Sequence, residues 1–183
     1  MLHECQYDDK KNDILVFVGD LVGKGPQSGS VVRFVMNQKN AKCVMGNWEY
    51  NLIRNPDMLK REARFFPLEP EAEREFSATE MAWIASLPYY LTFPEYNIVV
   101  VHAGLVPGRA LDQQRPLDMI SMRNLLRDGS TCSKTTVGSP WIESWRGPEF
   151  VIFGHDARRG LQRTPVALGF SFFFVFCSWV FIW

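Results

Sequence analysis

An α/β fold is what this sequence predicts, a pair of mixed sheets flanked by helices, with a polar cleft at the strand carboxyl ends. Two observations predict it. Short apolar runs of strand length alternate with helical segments along the 183 residues. Four of those runs also end in glycine and a ligand-type residue: Val-Gly-Asp, Met-Gly-Asn, Val-His-Ala-Gly and Phe-Gly-His. In α/β folds ligands bind beyond the carboxyl ends of strands. Four such edges would bring Asp20, Asn47, His102 and His155 into one cleft.

The elements follow in order. Asp13–Val18 reads as a buried strand that delivers Asp20 to its edge. Gly23-Lys24-Gly25-Pro26 is loop chemistry. Ser28–Gln38 reads as a helix capped by Ser28 or Ser30. Ala41–Met45 is a second strand, and Glu49–Ile53 starts a helix. The polar, proline-containing stretch from Asn55 to Thr79 reads as a cap or insertion. Thr79–Leu87 is a helix capped by Ser77 or Thr79. Tyr89–Phe93 and Asn97–Val101 are adjacent strands, the second leading to His102. Leu117–Leu126 reads as a helix and Asp128–Pro140 as a loop. Glu149–Phe153 is a last buried strand leading to His155.

Bulk properties narrow the function classes. Lys+Arg and Asp+Glu are both 20, so the net charge is zero. That balance gives no electrostatic argument for nucleic acid or for an anionic membrane surface. Cys5, Cys43, Cys132 and Cys177 are scattered, with no C-x-x-C spacing. They read as reduced thiols of a cytoplasmic protein. Met1–Lys11 has no apolar segment of secretory type. From Val166 to Trp183 the chain is uncharged and rich in Phe. Those 18 residues just reach the lower limit for a membrane span. An accidental apolar extension is the favoured reading over a membrane anchor.

The chemistry follows from the residue types. Asp20, Asn47, His102 and His155 form a mixed oxygen and nitrogen ligand set suited to Mn²⁺, Fe²⁺ or Zn²⁺. A carboxylate can bridge two metals, and two-metal sites clamp phosphoryl groups for in-line attack by water. Lys24 and Arg123 are candidate phosphate-binding cations, the second able to make bidentate contacts. Each element alone is weak, since a Gly-Asp turn or a lone His is more often structural. Packing alone does not account for all four occurring together.

These motifs resemble a known family. Gly-Asp-Leu-Val-Gly-Lys-Gly-Pro (19–26) resembles the G-D-x-V-x-[RK]-G-P motif of the phosphoprotein phosphatase superfamily, within the calcineurin-like metallophosphoesterases. Gly-Asn-Trp-Glu (46–49) resembles G-N-H-[ED]. Val-His-Ala-Gly-Leu-Val-Pro-Gly (101–108) and Phe-Gly-His-Asp-Ala-Arg-Arg-Gly-Leu-Gln (153–162) resemble the last two motifs. The branch it most resembles is the eukaryotic ApaH-like phosphatases, which are similar to the bacterial symmetrical bis(5′-nucleosyl)-tetraphosphatase. The resemblance covers residues 1–169, read as a partial metallophosphoesterase domain, with 170–183 an aromatic tail of unknown role. It implies a bridging Asp20, a metal site completed by Asn47, His102 and His155, and phosphate contacts from Lys24 and Arg123. It also implies metal-dependent hydrolysis of phosphoesters or phosphoanhydrides. Substrates would be dinucleoside polyphosphates, mRNA caps, polyphosphate or phosphoproteins.

Three departures bear on activity. The family's opening Asp-x-His motif is absent, so the resemblance implies a chain lacking the first β–α unit and its metal ligands. Trp48 stands where the family places a general-acid His, and an indole N–H cannot serve that role. The family's closing strands are also expected to be missing. An impaired enzyme is the expectation, and an inactive pseudophosphatase that binds metal and phosphate is the alternative.

Overall fold

The computed structural model describes residues 13–25, 27–59, 75–170 and 179–182. One sheet is centred on β1 (Ile14–Phe17). It pairs in parallel with β2 (Ala41–Cys43), Leu15 opposite Ala41. On its other side lies an antiparallel β11 (Trp179–Ile182), Ile14 opposite Ile182. The second sheet contains β3 (Tyr90–Phe93), β4 (Ile98–Val101), β8 (Phe150–Phe153), β9 (Gln162–Thr164) and β10 (Ala167–Gly169), in the order β3-β4-β8-β10-β9. β4, β8 and β10 run parallel, and β3 and β9 run antiparallel to their neighbours.

Side chains of a strand alternate between faces, and that alternation builds three layers of core. Val16 of β1 points with Val18 and Val44 toward Val100 of β4 and Ile152 of β8, which fills the space between the sheets. Leu15 and Phe17 point the other way, onto the helices. There they meet Val32 and Val35 of α1 (Ser28–Asn37), Leu52 of α2 (Asn47–Arg54) and Ile84 of α3 (Ala78–Ala85). Val99, Val101, Val151 and Phe153 face outward from the second sheet. They pack against Trp141, Trp145 and Met119, the last from α4 (Pro116–Ser121). The result is the predicted α/β architecture, a mixed sheet pair between flanking layers.

Two expectations are corrected. The helix expected over Leu117–Leu126 ends at Ser121, and Met122 turns extended (φ −67°, ψ 145°). A small third sheet begins there, with β5 (Asn124–Leu125) between β6 (Thr131–Cys132) and β7 (Ser139–Pro140). Cross-strand pairing with residues that look like loop in sequence overrides a local helical pattern. α1 also lacks the expected Ser28 or Ser30 cap: its N-cap is Gln27, with no side-chain cap bond. Ser28 is buried, and its Oγ accepts a bond from the Gly23 N–H at 3.1 Å. The hydroxyl supports the Gly23-Lys24 loop instead. Ser77, by contrast, caps α3 as expected, accepting from the Glu80 N–H.

Part of the expected insertion at 55–79 lies outside the described residues, at 60–74. The same holds for 171–178 and 183 of the C-terminal run. Among the described residues no helix is long and apolar enough to cross a membrane. The layer between the sheets yields a first prediction. Ile152→Ala should lower unfolding stability by about 2–5 kcal/mol, the range for deleting a buried aliphatic chain. Urea denaturation measures it.

Candidate functional site

All four predicted strand-end residues meet at one edge of the sandwich. Asp20 follows β1, Asn47 opens α2 just beyond β2, His102 follows β4 and His155 follows β8. Parallel pairing within β1–β2 and within β4–β8 puts the carboxyl ends of each pair side by side. The Gly154 N–H donates to the His102 carbonyl at 2.8 Å, which locks the second pair of ends together.

His102 stands at the centre, almost fully buried. Its Nδ1 lies 2.5 Å from the Val18 carbonyl, so Nδ1 carries the proton and Nε2 presents a lone pair. That nitrogen is 3.2 Å from Asn47 Oδ1, 3.2 Å from His155 Nδ1 and 3.3 Å from Asp20 Oδ1. The candidate ligand atoms of Asp20, His102 and His155 all lie within 4.8 Å of one another. Converging electron pairs repel unless a proton or cation lies among them. Burial holds His155 neutral, and with His102, Arg123 and Lys24 beside it lowers its pKa to about 2. Its Nε2 is buried with no hydrogen-bond partner. A group of oxygen and imidazole donors that includes an imidazole held neutral by burial fits a divalent cation. The carbonyl that fixes the His102 tautomer is the usual support behind a metal-binding imidazole.

The backbone at this edge is strained. Asp20 (φ 57°) and His155 (φ 66°) occupy the left-handed region. Such conformations cost of order 1–3 kcal/mol each and concentrate at functional sites. Gly19 and Gly46 allow the first two loops to touch. A Cβ on Gly46 would lie 2.4 Å from Asp20 N and 2.6 Å from Asp20 Oδ1.

Glu49 supplies the support that reading the sequence did not assign to it. It is fully buried. Its Oε2 accepts N–H bonds from Asp20 (2.8 Å) and Gly46 (3.0 Å), and its Oε1 accepts from Val22 (3.1 Å). Burial, then the Asp20 charge, raises its pKa to about 7. One signal was legible: a Glu three residues after a helix-capping position commonly reaches back to the cap N–H.

Lys24 joins the cluster, its Nζ 3.2 Å from Asp20 Oδ2. Arg123 touches it differently, donating to the His155 carbonyl at 3.4 Å and to the Ser133 carbonyl at 2.7 Å. Trp48 packs on Gly23, where an added Cβ would come within 2.0 Å of the indole. The Lys24 ammonium lies 5.3 Å above its ring centroid. Asp156, which the sequence does not single out, pairs with Arg123 and is linked through Arg159 to Asn124.

Residues 1–164 match the family model for calcineurin-like phosphoesterases. The chain belongs to that family. A symmetrical bis(5′-nucleosyl)-tetraphosphatase from Shewanella sp. (strain MR-4) is 29% identical over 116 residues, 63% of this chain and 42% of that one. An asymmetrical bis(5′-nucleosyl)-tetraphosphatase, PrpE, from Halalkalibacterium halodurans is 26% identical over 167 residues, 84% of this chain and 67% of that one. The crystal structure of a protein described as a candidate diadenosine tetraphosphatase superposes with a TM-score of 0.78. It is 36% identical, over 93% of this chain and 74% of that one. The match to the Shewanella enzyme thus spans less than half of that enzyme's length. The predicted family and fold class stand, and this family of hydrolases uses divalent metals.

Two predictions follow from the site. Gly46→Ala should displace the Asp20 loop, lower stability by about 1–3 kcal/mol as overpacking does, and weaken Mn²⁺ binding, both measurable by calorimetry. The second concerns pH in metal-free protein. Glu49, raised from 4.5 to about 7, contributes stability that is complete below pH 4.5 and lost as pH rises through 7. His155, lowered from 6.5 to about 2, contributes stability present above pH 6.5 and lost as pH falls through 2. The two offset each other between pH 4.5 and 6.5. In that window His155→Ala should lose stability relative to the parent as pH rises, by up to about 1.4 kcal/mol per pH unit. Parallel pH profiles for the two proteins would show that His155 is not held neutral.

Proposed function

We propose that this chain hydrolyses phosphoesters or phosphoanhydrides in a metal-dependent reaction, with dinucleoside polyphosphates as the favoured substrate class. The observation that carries the reading is the convergence of Asp20, Asn47, His102 and His155 around the lone pair of His102 Nε2. The two bis(5′-nucleosyl)-tetraphosphatases among the relatives support the substrate class. Polyphosphate and phosphoproteins are the competing classes. Four scattered cysteines with no C-x-x-C spacing support a cytoplasmic location.

In this reading Asp20, Asn47, His102 and His155 hold a divalent ion, Mn²⁺, Fe²⁺ or Zn²⁺. The ion supplies Lewis-acid stabilisation of the phosphoryl oxygens and of the attacking water. Asp20 directs its two oxygens differently, Oδ1 toward His102 and Oδ2 toward Lys24, so Oδ1 is the oxygen that would hold the ion. Lys24 is half-exposed and turns from Asp20 to an incoming phosphate oxygen. Arg123 offers its remaining N–H groups to the same phosphate. Trp48 cannot protonate a leaving group, so that proton must come from solvent. The expected cost is about 10²–10⁴-fold in rate. It falls on poor leaving groups and spares p-nitrophenolate, which departs without a proton.

A second reading rests on Trp48 and the Lys24 ammonium above it: a pseudophosphatase that holds metal and phosphate with little turnover. Hydrolysis of p-nitrophenyl phosphate and diadenosine tetraphosphate, with and without Mn²⁺, separates the two. The enzyme reading expects Mn²⁺-stimulated, chelator-sensitive turnover that His102→Ala abolishes. A rate no higher than the His102→Ala control, with Mn²⁺ and phosphate binding intact, would establish the pseudophosphatase. For an active chain, Trp48→His should raise the rate on phenyl phosphate more than on p-nitrophenyl phosphate. Equal gains would remove Trp48 from the leaving-group step.

A further inference from the structure

We propose that Asp156, Arg159 and Asn124 are positioning residues that hold Arg123 in register to receive a phosphate. The inference rests on the phosphohydrolase reading above and deepens it.

The geometry is a closed circuit. Arg123 Nε lies 3.4 Å from Asp156 Oδ1, an ion pair rather than an aligned hydrogen bond. The other Asp156 oxygen accepts from Arg159 Nη1. Arg159 Nη2 donates to Asn124 Oδ1 at 2.8 Å and to the Thr135 carbonyl at 2.7 Å. The Asn124 amide nitrogen donates to the carbonyls of Lys134 (2.8 Å) and Val137 (2.6 Å). Arg123 Nη1 closes the circuit at the Ser133 carbonyl. Asp156 and Asn124 are both buried. Side chains from β5 and from the turn after β8 thus fix the 133–137 segment, and that segment fixes Arg123.

Charge shows which arginine is free to act. Asp156 is one carboxylate between two guanidiniums, so one positive charge is left over. Arg159 spends its second nitrogen on Asn124 and Thr135, which leaves it a structural strut. Arg123 has five N–H donors. Three are directed at Ser133, His155 and Asp156. The other two are uncommitted among the contacts of the described residues, and a pair of N–H groups suits a bidentate phosphate contact. Asp156 also directly follows His155, so the circuit lies beside the candidate metal cluster without including its ligand atoms.

The test is orthophosphate binding to the Mn²⁺-loaded chain, measured by calorimetry for Arg123→Ala, Arg159→Ala, Arg159→Lys and the Arg123→Ala/Arg159→Ala double variant. Arg159→Ala should weaken phosphate binding roughly tenfold, the size of coupling seen within one hydrogen-bond network. Mn²⁺ affinity should stay within about threefold in the same variant, as coupling to more distant groups is weaker. Arg159→Lys keeps the charge but not the fork, so it should recover only part of the loss. In the Arg123→Ala background, removing Arg159 should cost nothing further. Should Arg159→Ala fail to fold, Arg159→Lys and its double variant with Arg123→Ala carry the same comparison. Additive losses, or unchanged phosphate binding in folded Arg159 variants, would overturn the positioning role while leaving Arg123 as the phosphate ligand. Unchanged binding in Arg123→Ala would overturn the phosphate role of Arg123, and this inference with it.

Discussion

The carboxylate of Glu49 is the anchor on which the site depends. Three main-chain N–H groups, from Asp20, Val22 and Gly46, end on its two oxygens in a fully buried setting. Those donors belong to the loops after β1 and β2, beyond the last β1–β2 bond, from the Val44 N–H to the Phe17 carbonyl. Each buried N–H left without an acceptor would cost about 1–3 kcal/mol. Glu49 therefore does for these two loops what strand pairing does for the sheet. It does so at an electrostatic cost, since burial and the Asp20 charge both oppose its ionisation. A cation near Asp20 would relieve part of that repulsion, so the support and the proposed metal position favour each other.

The second pair of loops is held by a different device. Gly154 bonds directly to the His102 carbonyl, and His102 reaches across the sandwich to the Val18 carbonyl. One imidazole thus links an edge of the second sheet to an edge of the first. Strain at Asp20 and His155 is sustained because the surrounding bonds over-determine both residues. A loosely packed cleft could not keep Asp20, Asn47 and His155 this close to His102 Nε2.

Trp48 gives this site its individual character. Its main-chain N–H donates to Asp20 Oδ1, so the backbone at this position keeps its supporting contact whatever the side chain. The indole instead fills the space over Gly23 and lies beneath the Lys24 ammonium. The indole is a packing wall that constrains the loop carrying Lys24.

By itself, the sequence determined β1, β2, β3, β4 and β8, the ligand-type residues at four strand ends and the layered class of the fold, while the remaining strands came only with the tertiary structure. The reason is local: apolar runs of period two bounded by glycine specify buried strands, and a polar residue at such an end has few other places to go. It also located Lys24 and Arg123, though not what holds them. Only the tertiary structure decided that Glu49 braces both loops, that Ser28 supports Gly23 instead of capping α1, and that the 117–126 segment breaks after Ser121. It alone joined Asp156 and Arg159 to Asn124, about thirty residues earlier in the chain. These are contacts between residues distant in sequence, between groups whose types allow many partners. Their pairing is set by which loops the two sheets bring together, and no local pattern encodes that.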